Sequence, residues 1–128
     1  MLDNKNFSFR QETHVNYIII NRDELQHDRN TYEFEGSRYG DTDISFIWVD
    51  MLPGDRVRLH QHPYQEVFII QEGVATYTIG STTLEARAGQ IVIAPADVPH
   101  MFVNSGEGRL RQVDLHLSKQ FITQWLED

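Results

Sequence analysis

The chain has 128 residues with 19 acidic and 11 basic side chains, for a formal net charge of −8. That length suits one ordinary domain with a real core but not two. No run of Lys or Arg offers a footprint for phosphate backbones, so nucleic acid is not an expected partner. Cysteine is absent, which removes disulfides and thiolate chemistry and leaves imidazole, carboxylate and water as metal donors.

From the N-terminus, "MLDNKNFSFRQETH" lacks a basic-then-apolar leader, and the longest apolar runs, Tyr17 to Ile20 and Val67 to Ile70, are far shorter than a membrane span. The expectation is a soluble, cytoplasmic protein with no membrane partner. "YIIIN" (17–21) is a β-branched run, and "ISFIWVDML" (44–52) is a second strand closed by the turn dipeptide Pro53-Gly54. "EVFIIQ" (66–71) follows, then "VATYTIGSTTLEA" (74–86), which reads as a hairpin about Gly80-Ser81 with a positive φ at its first turn residue. "GQIVIAP" (89–95) and "HMFVN" (100–104) flank a proline-bounded corner, and "LRQVDLHL" (110–117) supplies a last strand. Phe121, Ile122, Trp125 and Leu126 then recur at helical spacing behind Ser118, a candidate N-cap, which predicts a short terminal helix. Short strands punctuated by glycine and proline predict an all-β sandwich or barrel. The expected division is N-terminal strands over 1–43, a barrel over 44–117 and a helix over 118–128.

One stretch does not fit a plain core strand. "GDRVRLHQHPYQEVFIIQEG" (54–73) carries His60, His62 and Glu66 inside an apolar context. Strand alternation puts residues 58, 60 and 62 on one face, and Glu66, Phe68 and Ile70 on one face once Pro63-Tyr64 has interrupted the path. His100, just after the proline corner, offers a third imidazole. Three histidines and a carboxylate from neighbouring strands suit one divalent first-row ion, with manganese, iron, nickel and zinc all compatible.

The residues 54–73 match the first cupin motif position for position: Gly54, five residues, His60-x-His62, three residues, Glu66, six residues, Gly73. Residues 89–104 resemble the second motif through Gly89, Pro95, His100 and Asn104. Asp97 stands where a glycine is usual, and Asp tolerates turn conformations better than most residues. The resemblance spans essentially the whole chain and implies a single-domain conserved-barrel cupin. Its fold is a double-stranded β-helix, or jelly roll, that binds a metal through His60, His62, Glu66 and His100. The family hosts oxygenases, decarboxylases, isomerases, epimerases and non-catalytic binders, and fold does not choose among them. Three neutral imidazoles and one carboxylate around a divalent ion leave a formal charge of +1, which favours a small ligand with an anionic oxygen. The leading expectation is a mononuclear dioxygenase in which Glu66 is the catalytic group, loosening from the metal to accept a proton. A metal-dependent isomerase or epimerase is the alternative, and a small-molecule binding or sensing module is a third.

Further positions carry weaker signals. Arg58 shares the expected face of His60, either as a clamp for an anionic substrate or, the favoured reading, as a rim arginine in water. Phe68, Ile70 and Phe102 would wall the pocket. Gln112, Asp114 and His116 alternate with Val113, Leu115 and Leu117, and a solvated outer face is favoured for the polar set over a pocket lining. Either alternate set of 44–52 could face inward. His14 and His27 are expected at the surface. The β-branched residues on both faces of "YIIIN" predict a homodimer that buries them.

Overall fold

The computed structural model describes residues 8–12 and 15–128. Strands β1 (Ser8–Glu12) and β2 (Val15–Ile19) form an antiparallel hairpin of their own. After a 3-10 turn at Arg22–Glu24 come β3 (Gln26–His27) and β4 (Thr31–Phe34). Then follow β5 (Ser45–Met51), β6 (Arg56–Gln61), β7 (Glu66–Glu72), β8 (Val74–Ile79) and β9 (Thr82–Arg87). The chain ends with β10 (Ile91–Ala94), β11 (His100–Asn104), β12 (Leu110–His116) and β13 (Gln124–Trp125). A six-stranded sheet runs β10-β7-β12-β5-β4-β3, facing a five-stranded sheet in the order β13-β6-β11-β8-β9. All pairings are antiparallel. The expected strands over 44–117 are all present, and the fold is the expected two-sheet β-helix.

Alternation sets the interior. Burial falls on every second residue of β7 (66, 68, 70), β11 (100, 102, 104) and β12 (110, 112, 114, 116). The inward apolar residues, Met51, Phe68, Ile70, Tyr77, Phe102 and Leu110 among them, form one packed cluster between the sheets. In β5 the odd-numbered Val49 and Met51 belong to this core, while Trp48 on the other face joins Ile18, Ile20, Tyr32 and Phe34 around Leu25 and Tyr39. Two isoleucines of "YIIIN" are thus covered within the chain, whereas Tyr17 and Ile19 stay exposed.

Local backbone chemistry holds the corners. Gly80 has φ of 59°, the first-position value of the two-residue hairpin read from the sequence. Asp97, at the corner where glycine is usual, sits at φ 62° and donates its N–H to the His62 carbonyl at 2.7 Å, so Asp carries the left-handed turn itself. The terminal helix over 118–128 does not form. Residues 124–125 instead pair as β13 with Gln61 and His60 of β6. An apolar spacing of three and four also fits a segment that crosses a barrel mouth, and the edge of β6 offers it backbone partners. Among the described residues no helix is long and apolar enough to cross a membrane. His27 is exposed as expected, and His14 lies outside the described residues.

Candidate metal centre

The candidate ligands gather at one end of the space between the sheets because each lies at a strand end. Glu66 begins β7, His100 begins β11, His60 is the penultimate residue of β6, and His62 follows that strand's last residue. His100 pairs directly with His60 across the β11–β6 ladder. One donor atom from each of His60, His62, Glu66 and His100 lies within 4.8 Å of the others. All four residues are buried, at 2–6 % exposure.

The histidine tautomers are set by backbone carbonyls. The Nδ1 of His60 lies 2.6 Å from the Arg58 carbonyl, that of His100 3.0 Å from Val98, and that of His62 2.9 Å from Ile122. A carbonyl oxygen only accepts, so each Nδ1 carries a proton and donates it, which leaves Nε2 as the ring nitrogen turned to other partners; that of His100 donates to Glu66 Oε1. Glu66 Oε1 lies 3.0 Å from His100 Nε2 and 3.1 Å from His62 Nε2. The His62 contact has the length but not the direction of a hydrogen bond, so that buried nitrogen has no hydrogen-bond partner.

Electrostatics favour a charged Glu66 beside a neutral His60. Burial opposes ionisation of Glu66, but contacts with His100, His116 and His62 outweigh it and hold the carboxyl well below its usual range. Burial pushes His60 down to about 4, which keeps it neutral at physiological pH. For His100 burial acts in the same direction, but the Glu66 carboxylate overcomes it and raises the imidazole.

A cavity of about 210 Å³ opens beside the cluster. Its apolar wall includes Ile47, Val49, Val57, Phe102, Phe121 and Trp125, and Glu33 and Asp114 supply carboxyls. Phe102 thus borders the cavity. Phe68 and Ile70 are core residues that do not border the cavity, although Phe68 meets the His100 ring edge-on at 5.9 Å. Arg58 does not share the face of His60. The register shifts between the pairs His100–His60 and Phe102–Val57, so two residues of β11 span three of β6. This bulge turns Val57 and His60 inward together and leaves Arg58 exposed, 4.6 Å over the Trp125 ring.

The polar residues of β12 are also not on a solvated face. Gln112, Asp114 and His116 are buried at 0–4 % exposure, and β12 is a central strand between β7 and β5. Tyr77 donates its hydroxyl to Gln112 Oε1 at 2.6 Å, and Gln112 Nε2 donates to Asp114 Oδ1 at 2.7 Å. Burial, with the nearby Glu66 charge, pushes the Asp114 carboxyl well above its usual range. His116 pairs with Glu66 across the strands, and its Nε2 lies 3.1 Å from Glu66 Oε2, again without hydrogen-bond direction. Its Nδ1 meets the Tyr64 hydroxyl at 2.7 Å, a phenol that burial pushes up to about 12. The signal for this orientation was Arg111. A carboxyl or imidazole can shed its charge to be buried and a guanidinium cannot, so Arg111 marks the outer face and its even-numbered neighbours point in.

Comparison with known proteins agrees with this geometry. The cupin-domain family profile matches residues 47–116, over half of the chain. The chain belongs to the cupin family. Among curated relatives of this cupin, "Polyketide synthase CurC" of Streptomyces cyaneus is 39% identical over 69 residues, covering 53% of the chain and 44% of that protein. "Protein SchB" of Streptomyces halstedii is 36% identical over 62 residues, 48% of the chain and 45% of that protein. The matched region thus spans less than half the length of either relative. Among solved structures, oxalate decarboxylase of Lactobacillus farciminis superposes with a TM-score of 0.74 at 19% identity, over 84% of the chain and 35% of that protein. A double-stranded β-helix protein of Klebsiella pneumoniae gives 0.67 at 22% identity, over 86% of the chain and 97% of that one. At these identities the two structures establish the shared fold.

Proposed function

We propose that this cupin binds one divalent metal ion through His60, His62, Glu66 and His100 and acts on a small, oxygen-bearing organic molecule held in the adjoining cavity. The observation that carries the reading is the common orientation of the three rings, whose Nδ1–H groups are all spent on carbonyls, so that Nε2 is the nitrogen each can offer to an ion beside the Glu66 carboxylate. A buried nitrogen with no hydrogen-bond partner, His62 Nε2, is costly unless a ligand uses it. Three imidazoles and one carboxylate fit manganese, iron, nickel or zinc.

Such an ion supplies a Lewis acid and, if iron or manganese, a site for dioxygen. The chain's own groups do the rest. The apolar wall strips water from the ligand, which strengthens every charge interaction inside. Oxygen-rich substrates fit the positive centre, and the name of the Streptomyces cyaneus relative supports a carbonyl- and enol-bearing skeleton as the substrate class. Glu66 is placed to accept a substrate proton. Dioxygenase chemistry is our first reading. Isomerisation is the second, favoured by Asp114, a cavity carboxyl that keeps its proton above the usual range and so can return one to the substrate.

Oxygen uptake by metal-loaded protein, screened against enols, hydroxy-ketones and carboxylates, tests the assignment. With a substrate in hand, loss of turnover under strict anaerobiosis and on replacing iron with zinc supports the dioxygenase. Turnover that persists in both conditions overturns it in favour of the isomerase. Full activity in Glu66→Gln would remove Glu66 from either mechanism. We also propose a homodimer, supported by the outward isoleucines Ile19, Ile91 and Ile93, each about half exposed or more. A monomer mass by light scattering at micromolar concentration would exclude it.

A further inference from the structure

The three candidate histidine ligands are not held alike. His60 and His100 donate their Nδ1–H groups to carbonyls two residues back in their own segments, Arg58 and Val98. His62 donates instead to Ile122, 60 residues away in the C-terminal segment. The orientation of one ring therefore depends on whether that segment is docked.

The segment grips His62 from several sides. Tyr64 stacks on the His62 ring at 4.9 Å with planes 8° apart, and its hydroxyl accepts the Ile122 N–H at 3.2 Å. The Ile122 peptide is thus held by its oxygen through His62 and by its nitrogen through Tyr64. Thr123 Oγ1 lies 3.3 Å from the same His62 Nδ1. Phe121, Thr123 and Trp125 close one side of the cavity, so the segment is a strap across the mouth.

The strap is held by polar and ring contacts rather than by an apolar core of its own. No residue of 118–128 belongs to either apolar core cluster, and Ile122, Trp125 and Leu126 are 40–50 % exposed. Leu126 N–H donates to the Leu59 carbonyl at 3.0 Å. At its start the segment is fastened by Phe121 N–H, which donates to Glu35 Oε2 at 3.0 Å, and by Lys119 3.0 Å from Asp41. At its far end, beyond the short β13 ladder, the fastening is Glu127, whose carboxylate accepts from Leu59 N–H at 2.7 Å and from Arg56 at 2.6 Å. The exposed Arg58 lies over the Trp125 ring at 4.6 Å. A segment with few buried apolar contacts and edge hydrogen bonds belongs to the low-stability end of a structure.

We propose that the strap is the positioning element for His62, with Glu127 as its latch, so that strap docking and metal binding stabilise each other. The proposal rests on the metal reading above. With the strap lifted, His62 loses the acceptor that fixes its ring, and Nε2 is no longer held beside the Glu66 carboxylate. A ligand's outer partner of this kind is worth 10- to 100-fold in metal affinity. Linkage then requires that a bound ion hold the strap closed to the same degree.

Titration with divalent manganese and amide hydrogen exchange test this together. Glu127→Ala is expected to weaken manganese binding about tenfold, the low end of that range, and to change the paramagnetic resonance spectrum of the bound ion. Glu127→Gln, which keeps an acceptor for Leu59 N–H, should recover most of both. In the wild type, manganese should slow exchange across residues 121–126, a measurement that decides the matter even if the alanine variant fails to fold. Unchanged affinity and spectrum in Glu127→Ala, or strap exchange indifferent to bound manganese, overturns the coupling and leaves the metal reading intact. A wild type that binds no manganese or other first-row ion overturns the metal reading itself, and the coupling with it.

Discussion

The two ends of the space between the sheets are built from the same strands and filled with opposite chemistry. At one end Leu110 pairs with Met51, and Ile70, Phe68 and Tyr77 pack behind them. At the other His116 pairs with Glu66 and His100 with His60. Burial is equally complete at both, at 0–2 % for Met51, Phe68, Ile70, Tyr77 and Leu110 and 2–6 % for the histidines and Glu66. The apolar end gains stability from area removed from water. The polar end removes a carboxylate and imidazoles from water, a cost that burial itself does not repay. A chain that keeps both has one end for folding and one for binding.

Mutations should divide along that line. Phe68→Ala removes a core ring that touches Tyr77 and Phe102, and by its kind should lower the free energy of unfolding by about 3–5 kcal/mol. Denaturant unfolding checks this, and a loss under 1 kcal/mol would show that the two ends are not packed differently.

Asp114 sits where the two chemistries meet, and Asp114→Asn should have a pH-dependent effect of intermediate size. Its folded pKa is raised above the ordinary 3.8, first by burial and then by Glu66. Its contribution is therefore fully present below that ordinary value and is lost as pH rises through the folded one. The wild type should lose stability relative to Asp114→Asn on going from pH 4 towards alkaline pH. A difference in melting temperature that does not change with pH would contradict the assignment.

The smallest effect is expected at Arg111, one residue from buried Gln112. Its guanidinium lies 3.6 Å from Asp50 and from Glu72, with about half of the side chain exposed. Surface pairs of this kind contribute about 0–1 kcal/mol, so Arg111→Ala should fall within that range while its neighbours on the inner face do not.

Much of the architecture was legible in the chain, and the failures share a cause. Period-2 runs and glycine corners located the strands over 44–117 because those signals are local. The four candidate ligands were legible because their spacing puts each at a strand end. Arg58 is exposed, as a rim arginine would be, but it leaves the face of His60 because a β-bulge leaves no mark in one strand's sequence and exists only relative to its partner. Gln112, Asp114 and His116 were turned the wrong way for a related reason. Whether a polar alternate face meets water or a cavity depends on β12 lying between β7 and β5, which is a property of the sheet order. The helix expected over 118–128 failed because eleven residues offer little propensity against the open edge of β6. The segment's role beside His62 spans 60 residues of chain and no local pattern announces it.

The central claim is that the polar end holds a metal ion, and elemental analysis after incubation with first-row ions tests it most directly. The account predicts about one ion per wild-type chain, as one converging set of four donors implies. It predicts none in His60→Ala/His62→Ala, with the far-ultraviolet circular dichroism of the folded β-barrel retained. A wild type without metal under these conditions, or a double variant that binds as tightly as the wild type, would contradict it.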